Sequence, residues 1–341
     1  MIGNLLTICI PSFNRFDSVK RTLNKLFSIE SSLHFKVIVI DNASDLDYLK
    51  TLSEDNCFKN FLDDKRLEVH RNFTNIGMSA NIMRCFEKEA DGWLWIISDD
   101  DDVCDDAIIK IHTVLGGEES TNCSCIYFGR YDGVVVDVLL DGLPSFIDLN
   151  SRTVNNFYQS IFLSNTIYLM SDVKKYISYG YLNAGSFIPH FMMTVHILNE
   201  GFRVKYVNST VVNYIKPEIG YSYSMVAGLG VGLPKHSILN LSDNYYRKFS
   251  KLFYPHNDFK VIVDLFFETK NNKPAFKYLS TYYMSYVRKV RSIPLYFTLT
   301  FFKLLAHHDK LFEAVLKVTC SLNARIANEV SEIKIRNDYK S

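Results

Sequence analysis

The stretch WLWIISDDDDV, residues 93–103, joins a run of apolar residues to four consecutive aspartates. Trp93 to Ile97 form a short continuous apolar segment, which is typical of a strand buried on both faces of a parallel sheet. Asp99 to Asp102 follow after a single serine. Carboxylates this close disfavour one another's ionised form unless a cation neutralises them, which favours a binding site. The alternative is a solvated helix N-terminus, where negative charge is also favourable.

The same alternation of apolar and amphipathic segments runs through the first third of the chain. Strands are predicted at LLTICI (5–10), KVIVI (36–40), LEVHR (67–71) and WLWII (93–97). Helical spacing of apolar residues predicts helices that begin near Asp17, at an N-cap formed by Ser79, and at an N-cap formed by Asp105. Short apolar strands between amphipathic helices predict an α/β fold, with a mostly parallel sheet covered by helices on both faces.

Polar residues follow each predicted strand: PSFNR (11–15), DNASD (41–45), NFTNIG (72–77) and SDDDD (98–102). Ligands of such sheets bind at the carboxyl ends of the strands, so the topology predicts a site at this edge. The alternative for DNASD is an ordinary turn, because its residues are turn formers.

The residue types at this edge suit a nucleotide. Pro11 and Phe13 offer a flat apolar surface for a base, and Asn14 and Arg15 are expected near the phosphates or the base. Asp41 could accept hydrogen bonds from a base edge or a ribose. The remaining candidates lie before and within a predicted helix N-terminus, which is a natural anion site; they are Asn75, Gly77 and Asn81.

The four aspartates suit a divalent metal. Mg²⁺ typically takes one or two carboxylates together with phosphate oxygens and water, and Mn²⁺ is similar. A D-x-D spacing after a strand places two carboxylates on one side, where a diphosphate can complete the shell. Both Asp99 with Asp101 and Asp100 with Asp102 satisfy this spacing. A metal held there would neutralise charge on a departing diphosphate.

Four segments resemble the family 2 glycosyltransferases, which have the GT-A fold, in order and spacing. They are TICIPSFNR (7–15), VIVIDNASD (37–45), NIGMSANI (75–82) and WLWIISDDDD (93–102). The resemblance covers residues 5–120 well and residues 120–215 loosely. It implies a Rossmann-like sheet, a nucleoside diphosphate sugar as donor, and Mn²⁺ or Mg²⁺ as cofactor.

The resemblance also implies roles for single residues. Asp41 would contact the base, and Asp99 and Asp101 would hold the metal, since the family often shows D-x-D-D before an apolar residue, here Val103. Asp100 would lie near the ribose or the sugar. Direct displacement at the anomeric carbon, with inversion, is the expected reaction.

The sequence departs from the family in the acceptor half. Many members begin a helix there with two acids, one of which is the general base. The comparable stretch, AGSFIPHFMMTVHILNEG (184–201), has Pro189 and His190 instead. His190 could serve as the base because an imidazole titrates near neutral pH. Alternatively, Pro189 is a first-turn proline and His190 packs against the site, while Asp172 and Glu200 are weaker candidates for the base.

Three regions are predicted: a nucleotide-sugar-binding half (1–120), an acceptor-binding half of the same domain (121–240) and a helical C-terminal extension (241–341). CSCIYFG (123–129) and VVVDVLL (134–140) are predicted to form a hairpin. GYSYSMVAGLGVGLP (220–234) is predicted to be a mobile loop or lid.

Composition limits the partners and the location. The 341 residues are 48% hydrophobic with a net charge of +1, so charge predicts no nucleic-acid partner.

Seven scattered cysteines without a CxxC pair favour reduced thiols in a cytosolic protein. No signal peptide is recognised, and the apolar run 293–305 is too short to span a bilayer. Residues 283–317 are basic and rich in aromatics, which favours peripheral contact with an anionic membrane, although two packing helices with solvated lysines are the alternative.

Together these features predict a metal-dependent glycosyltransferase with a glycan or polyprenyl-diphosphate-linked acceptor. The expected pathway is bacterial surface polysaccharide assembly, O-antigen or capsule, in the cytoplasm and at the inner face of the cytoplasmic membrane. A sugar-nucleotide pyrophosphorylase needs a glycine-rich loop after the first strand, whereas PSFNRF (11–16) has no glycine. A non-catalytic nucleotide-sugar or glycan-binding protein remains the other alternative, because the acceptor helix is altered.

Overall fold

The computed structural model describes residues 6–29, 34–89, 92–117, 122–129, 137–152, 154–213 and 233–253, and single positions between 284 and 317. The chain divides into two compact units, residues 1–218 and 219–341. The three predicted regions stay predictions. All but the last two residues of the predicted lid at 220–234 lie outside the described residues.

The first unit contains a sheet of eight strands and a separate pair of two short strands. The strands are β1 (Leu6–Ser12), β2 (Phe35–Asp41), β3 (Leu67–Arg71), β4 (Trp93–Ile96), β5 (Asp102–Val103), β6 (Cys125–Gly129), β7 (Val138–Asp141), β8 (Thr166–Leu169), β9 (Arg203–Thr210) and β10 (Val212–Asn213). The order in the large sheet is β3-β2-β1-β4-β8-β6-β9-β7, and β10 pairs with β5 separately.

Helices connect most of these strands. They are α1 (Phe16–Ser28), α2 (Tyr48–Glu54), α3 (Asn56–Asp63), α4 (Met78–Cys85), α5 (Ala107–Leu115), α6 (Gly142–Arg152), α7 (Val154–Ile161), α8 (Met170–Val173), α9 (Ile177–Leu182) and α10 (Pro189–Asn199). The second unit contains α11 (Asp243–Phe253). Among the residues that the structure describes, no helix is long and apolar enough to cross a membrane.

The predicted mostly parallel sheet is confirmed. Strands β3, β2, β1 and β4 are parallel neighbours, so their carboxyl ends share one edge. Strand β8 runs antiparallel to both β4 and β6, while β6 and β9 are parallel. The central strands are buried throughout because their side chains are apolar on both faces, as in Ile8, Cys9 and Ile10 of β1.

The core lies between the sheet and its helices. Helix α1 buries Val19, Leu23 and Leu26 at the predicted helical spacing. Helix α5 buries Ile108 and Ile111 in the same hydrophobic cluster. Burial of these faces fixes where the loops between strands and helices emerge, and those loops carry the candidate site.

The predicted hairpin between β6 and β7 is wrong. Strand β9 lies between them, parallel to β6 and antiparallel to β7. Val204 and Tyr206 of β9 are fully buried, so this later strand supplies an apolar partner to both. Residues 130–136, which carry most of the predicted turn, lie outside the described residues.

Two predicted helix caps are also wrong. Helix α4 is capped by Gly77, whose φ of +84° is a conformation that favours glycine, and Ser79 lies inside the first turn. Helix α5 begins after Asp106, not Asp105, and the Asp106 side chain makes no capping hydrogen bond. At α4 the positive φ of Gly77 therefore places the cap two residues before Ser79.

Candidate active site

The acid run lies at the carboxyl end of β4, and alternate residues in it differ in exposure. Asp99 and Asp101 are buried, with 5% and 8% of their surface exposed. Asp100 is exposed, and Asp102 is the first residue of β5. The Asp101 amide donates to the Ser98 carbonyl at 3.2 Å, which turns the chain within the run. The turn therefore places the first and third acids inward.

Asp99 is held from the end of β1. The Ser12 hydroxyl donates to its carboxylate at 2.6 Å, and Nη1 of Arg15 donates at 3.0 Å. The same Arg15 atom contacts Asp100 at 2.9 Å. Burial raises the pKa of Asp99, while the contacts with Ser12 and Arg15 oppose the rise. Because burial disfavours the ionised form of this carboxylate, a cation bound beside it would stabilise that form.

Asp101 is held from a segment much later in the chain. Ser164 belongs to a short 3₁₀ helix, Leu163–Asn165, that joins α7 to β8. Its hydroxyl donates to Asp101 and accepts a hydrogen bond from the Ser98 amide at 2.8 Å. Ser164 was not a candidate from sequence, because a lone serine between a helix and a strand carries no motif.

Asp102 has a different environment. Lys25 of α1 and Asn213 of β10 each donate to it at 2.9 Å. The hydrogen bond from Lys25 contributes most to lowering the pKa of Asp102. Asp102 therefore connects the small β5–β10 sheet to α1. The pair Asp99 and Asp101 is buried together, whereas Asp102 is bound into this connection.

The loop after β1 is bound to the loop after β2. Asn14 has a φ of +54°, and its amide donates to the Ser44 hydroxyl at 2.9 Å. Its side chain exchanges hydrogen bonds with Asp45. The Arg15 amide donates to the Tyr48 hydroxyl at 2.8 Å. These contacts bring the predicted residues Asn14 and Arg15 together with the 41–45 loop.

The two apolar candidates in this loop differ in exposure. Pro11, within β1, is partly buried, while Phe13 is exposed just beyond the strand. Phe13 is therefore the member of the pair with surface available at this edge of the sheet.

Asp41 is fully buried at the end of β2. One carboxylate oxygen accepts from the Ser44 amide at 2.8 Å, which is the turn geometry expected of an aspartate. The other accepts from Nη1 of Arg71 at 2.8 Å. Arg71 also donates to the carbonyls of Ser44 and Leu46. The 41–46 loop thus wraps around the Arg71 guanidinium, and Asp41 anchors it.

The remaining predicted residues lie in a network of amide side chains. Asn42 donates to Asn75 at 2.8 Å, and Asn72 donates to both Asn42 and Asn81. The Gly77 amide donates to Asn75 at 2.9 Å. The structure therefore brings Asn75, Gly77 and Asn81 together at the start of α4, beside the loop after β2.

His190 lies in a different environment from the acids. It is in the first turn of α10, directly after Pro189, and is 2% exposed. Its Nε2 bonds the Ile161 carbonyl at 3.0 Å, and Nδ1 has no partner among the described residues. Burial lowers the pKa of His190 to about 4. Pro189 is a first-turn proline, as one of the two interpretations predicted.

Residues 7–161 match the family model described as Glycosyl transferase family 2. This part of the chain is similar to the glycosyltransferases of family 2. The match includes the four strand-end loops and the acid run described above. No curated protein sequence matches the chain significantly.

Solved glycosyltransferase structures share the fold. S. aureus TarS 1–349 in complex with UDP-GlcNAc is similar at 14% identity and a TM-score of 0.54, covering 89% of this chain and 92% of that chain. Mannosyltransferase PcManGT from Pyrobaculum calidifontis, in complex with GDP-Man and Mn²⁺, is similar at 11% identity and a TM-score of 0.53. That alignment covers 98% of this chain and 87% of the other. At these identities the likeness shows the GT-A fold.

The acid run suits a divalent metal that shares its shell with phosphates. Among the described residues, no three His, Cys, Asp or Glu side chains converge into a complete metal site. Two carboxylates suffice where phosphate oxygens and water complete the shell. Asp99 and Asp101 are both buried at the same edge, and the raised pKa of Asp99 reflects a desolvation cost that a cation would offset. The residues present fit such a metal.

Proposed function

We propose that this chain is a metal-dependent, hexosyltransferase-like enzyme that transfers a sugar from a nucleoside diphosphate sugar to a glycan or a polyprenyl-diphosphate-linked glycan. The match of residues 7–161 to the family 2 model supports glycosyl transfer. The observation that carries the proposal is the burial of Asp99 and Asp101 where four parallel strands end. TarS with UDP-GlcNAc and PcManGT with GDP-Man support the donor class by analogy.

The acids would hold Mn²⁺ or Mg²⁺ against the donor diphosphate. PcManGT with Mn²⁺ supports a metal by analogy. When bound, the metal would neutralise charge on the departing diphosphate. In this proposal Asp99 and Asp101 hold it, and Asp100, which is exposed beside them, faces the ribose or the sugar. Arg15 already contacts Asp99 and Asp100, so its guanidinium would lie near the phosphates.

The loops after β1, β2 and β3 would form the rest of the donor site. Phe13 offers an exposed ring for the base, next to Pro11. Asp41 would act on the base mainly through the 41–46 loop that it anchors, because both of its oxygens are already bonded. The anion site is assigned to the start of α4, at Asn75, Gly77 and Asn81.

Three residues are candidates for the general base: His190, Asp172 and Glu200. His190 has a pKa near 4 and its Nε2 is bonded to a carbonyl, so it would have to become exposed when the acceptor binds. The carboxylates of the other two candidates already accept hydrogen bonds. Asp172 accepts from the Ser124 hydroxyl at 2.7 Å, and Glu200 accepts from the Tyr176 hydroxyl at 2.6 Å.

A thermal-shift panel of UDP, GDP, CDP and ADP, with and without Mn²⁺, tests the donor site. Binding to the folded state raises the melting temperature by mass action, so one base should stand out and depend on Mn²⁺. Incubation with the sugar nucleotide of that base should then release nucleoside diphosphate. If no nucleotide shifts the melting temperature, the donor site is wrong. Binding without release under any condition would favour the non-catalytic alternative.

Membrane contact is proposed for the C-terminal extension. Ile293, Phe297, Phe301 and Leu304 are helical, recur at spacings of four, four and three, and are 49–68% exposed. That spacing places them on one face. Arg288, Lys310 and Lys317 are exposed at the described positions around this face. An apolar face flanked by cations suits an anionic bilayer.

We therefore propose a cytoplasmic enzyme at the inner face of the membrane, acting in surface polysaccharide assembly. Vesicles of phosphatidylglycerol should sediment the protein, and vesicles of phosphatidylcholine should sediment less of it. Phe297→Glu together with Phe301→Glu should abolish sedimentation, while Ile238→Glu, at an exposed apolar residue outside this face, should not. Equal sedimentation of both variants, or none of the wild type, would contradict the contact.

A further inference from the structure

One buried serine connects the acid run to the second half of the sheet. Ser164 is completely buried and lies 63 positions after Asp101 in the chain. Its carbonyl accepts from the Trp95 indole nitrogen at 2.8 Å. Its hydroxyl accepts from the Ser98 amide and donates to Asp101. Three contacts from one residue thus fix the end of β4 and the turn that follows.

The direction of these hydrogen bonds follows from chemistry. A backbone amide can only donate, so the Ser164 oxygen is the acceptor for Ser98. The single hydroxyl proton is then directed at Asp101, whose ionised carboxylate accepts. Hydrogen bonds to an ionised carboxylate are shorter and stronger than neutral ones. The contact therefore favours one orientation of the Asp101 carboxylate.

We propose that Ser164 is a positioning residue for the metal-binding carboxylate of Asp101. The inference rests on the proposed function, since Asp101 must hold the metal for its orientation to matter. Groups that orient metal ligands typically change metal affinity by about 10- to 100-fold when they are removed. Ser164 does so from the acceptor half of the sheet, so the metal site needs both halves in place.

The hydroxyl can be tested apart from the backbone. Ser164→Ala removes only the donor, because the contact with Trp95 uses the main-chain carbonyl. Ser164→Cys keeps nearly the same volume with a much weaker donor, and Ser164→Thr restores a hydroxyl. Ser160→Ala is the matched control, since Ser160 is equally buried, one turn earlier, and its hydroxyl donates to the Phe157 carbonyl instead.

Mn²⁺ binding is the measurement, by electron paramagnetic resonance of free Mn²⁺ in the presence of UDP, GDP, CDP and ADP in turn. We expect the dissociation constant for Mn²⁺ to rise about tenfold or more in Ser164→Ala and Ser164→Cys. It should return towards the wild-type value in Ser164→Thr and stay there in Ser160→Ala. Tryptophan emission should be unchanged in all four variants, which shows that the segment around Trp95 is intact.

Each other outcome has a distinct meaning. If Ser164→Ala and Ser164→Cys bind Mn²⁺ within twofold of wild type while Asp101→Asn does not bind it, the positioning role is wrong and the proposed function stands. If affinity falls together with altered tryptophan emission, and Ser164→Thr fails to restore it, Ser164 is only structural. If wild type and Asp101→Asn both fail to bind Mn²⁺ with every nucleotide, the metal itself is wrong.

Discussion

The two buried acids of the site are held in different ways. Asp99 is bound by Ser12 and Arg15, which belong to the loop after the neighbouring strand β1. Asp101 is bound by Ser164, which comes from a segment between α7 and β8. The edge where β1 to β4 end is thus assembled from neighbouring strand ends, while Asp101 depends on β8, which joins the sheet later in the chain and runs antiparallel to β4.

The contacts that order the loops after β1 and β2 join neighbouring strands, whereas the contact that orients Asp101 joins segments far apart in the chain. The loops after β1 and β2 can organise each other as soon as these two strands pair. The orientation of Asp101 requires β8 to pair with β4 and to bring the 3₁₀ helix against Trp95. We therefore expect changes around Asp99 and Asp41 to act on the loops after β1 and β2, and changes around Ser164 and His190 to act on Asp101 or on the later strands of the sheet.

The largest expected effect is the loss of transfer in Asp101→Asn. Removing a ligand to a catalytic metal forfeits several kcal/mol of transition-state stabilisation, so kcat/KM should fall about 10³-fold or more. The measurement is release of nucleoside diphosphate with acceptor present, alongside circular dichroism to show that the fold is kept.

Asp105→Asn is the matched control for this prediction. Asp105 lies just beyond the acid run with its side chain almost fully exposed beside Lys25. Its removal should leave kcat/KM unchanged. Activity near the wild-type level in Asp101→Asn would move the metal to Asp100 and Asp102 or remove it from the mechanism.

The second largest effect is expected on stability, from Arg71→Ala. This change leaves the buried carboxylate of Asp41 without its cation and frees the carbonyls of Ser44 and Leu46. Breaking a buried pair by removing one partner costs about 3 kcal/mol, the lower end of the usual range because Arg71 is partly exposed. Urea unfolding measures the loss.

Two comparisons sharpen the Arg71 result. Arg84→Ala removes an exposed pair with Glu87 and should cost less than about 1 kcal/mol. Asp41→Asn combined with Arg71→Ala should recover part of the loss, because no unpaired charge then remains buried. If the double variant is no better than Arg71→Ala alone, the carbonyl contacts hold the loop and the charge of Asp41 does not.

The strands up to the acid run, β1 to β4, were the more predictable part of the sheet. Strand β3 begins and ends at the residues of LEVHR, and β1, β2 and β4 match within one or two residues of the predicted ends. Each of these strands is a short apolar run with its own turn signal, so the evidence is local. Asn14 and Arg15 were predicted as site residues because they follow such a run, whereas Asn75 and Asn81 were predicted from the helix N-terminus that follows β3.

The later strands, β6 to β9, could not be predicted in the same way. The hairpin between β6 and β7 was expected because the segments are adjacent in sequence, whereas their actual partner, β9, lies more than sixty residues later. Ser164 is a single short polar residue whose partner is fixed only when β8 pairs with β4. Arg71 was read as the end of a strand, since nothing local shows that it fills the loop after β2.

The pH dependence of stability tests the burial of His190. Its pKa falls from 6.5 to about 4 on folding, so the unfolded chain takes up a proton over this interval and the folded chain does not. The contribution of the buried neutral imidazole to the free energy of unfolding is therefore fully present above pH 6.5 and is lost as the pH decreases towards 4. The loss is on the order of 2 kcal/mol at pH 5. His190→Gln should remove this part of the slope.

Free energies of unfolding at pH 7 and pH 5 measure the His190 effect, with His308→Gln as the control because His308 is exposed. The control should keep the wild-type slope. A His190→Gln protein with the same loss as wild type would mean that the imidazole reaches solvent in the folded state. That result would strengthen His190 as the general base.

The smallest effect separates Asp102 from the metal site. Lys25→Met removes the cation that contacts Asp102 at 2.9 Å and Asp105 at 3.1 Å, while keeping the aliphatic stem. Partly exposed pairs contribute at most about 1 kcal/mol, and salt should reduce the difference. The pKa of Asp102 is lowered on folding, so this contribution is present near neutral pH and is lost as the pH falls through the lowered value.

Because Asp102 connects α1 to β10 and is not assigned to the metal, the dissociation constant for Mn²⁺ should not change in Lys25→Met. A changed constant would instead favour Asp100 and Asp102 as the metal-binding pair.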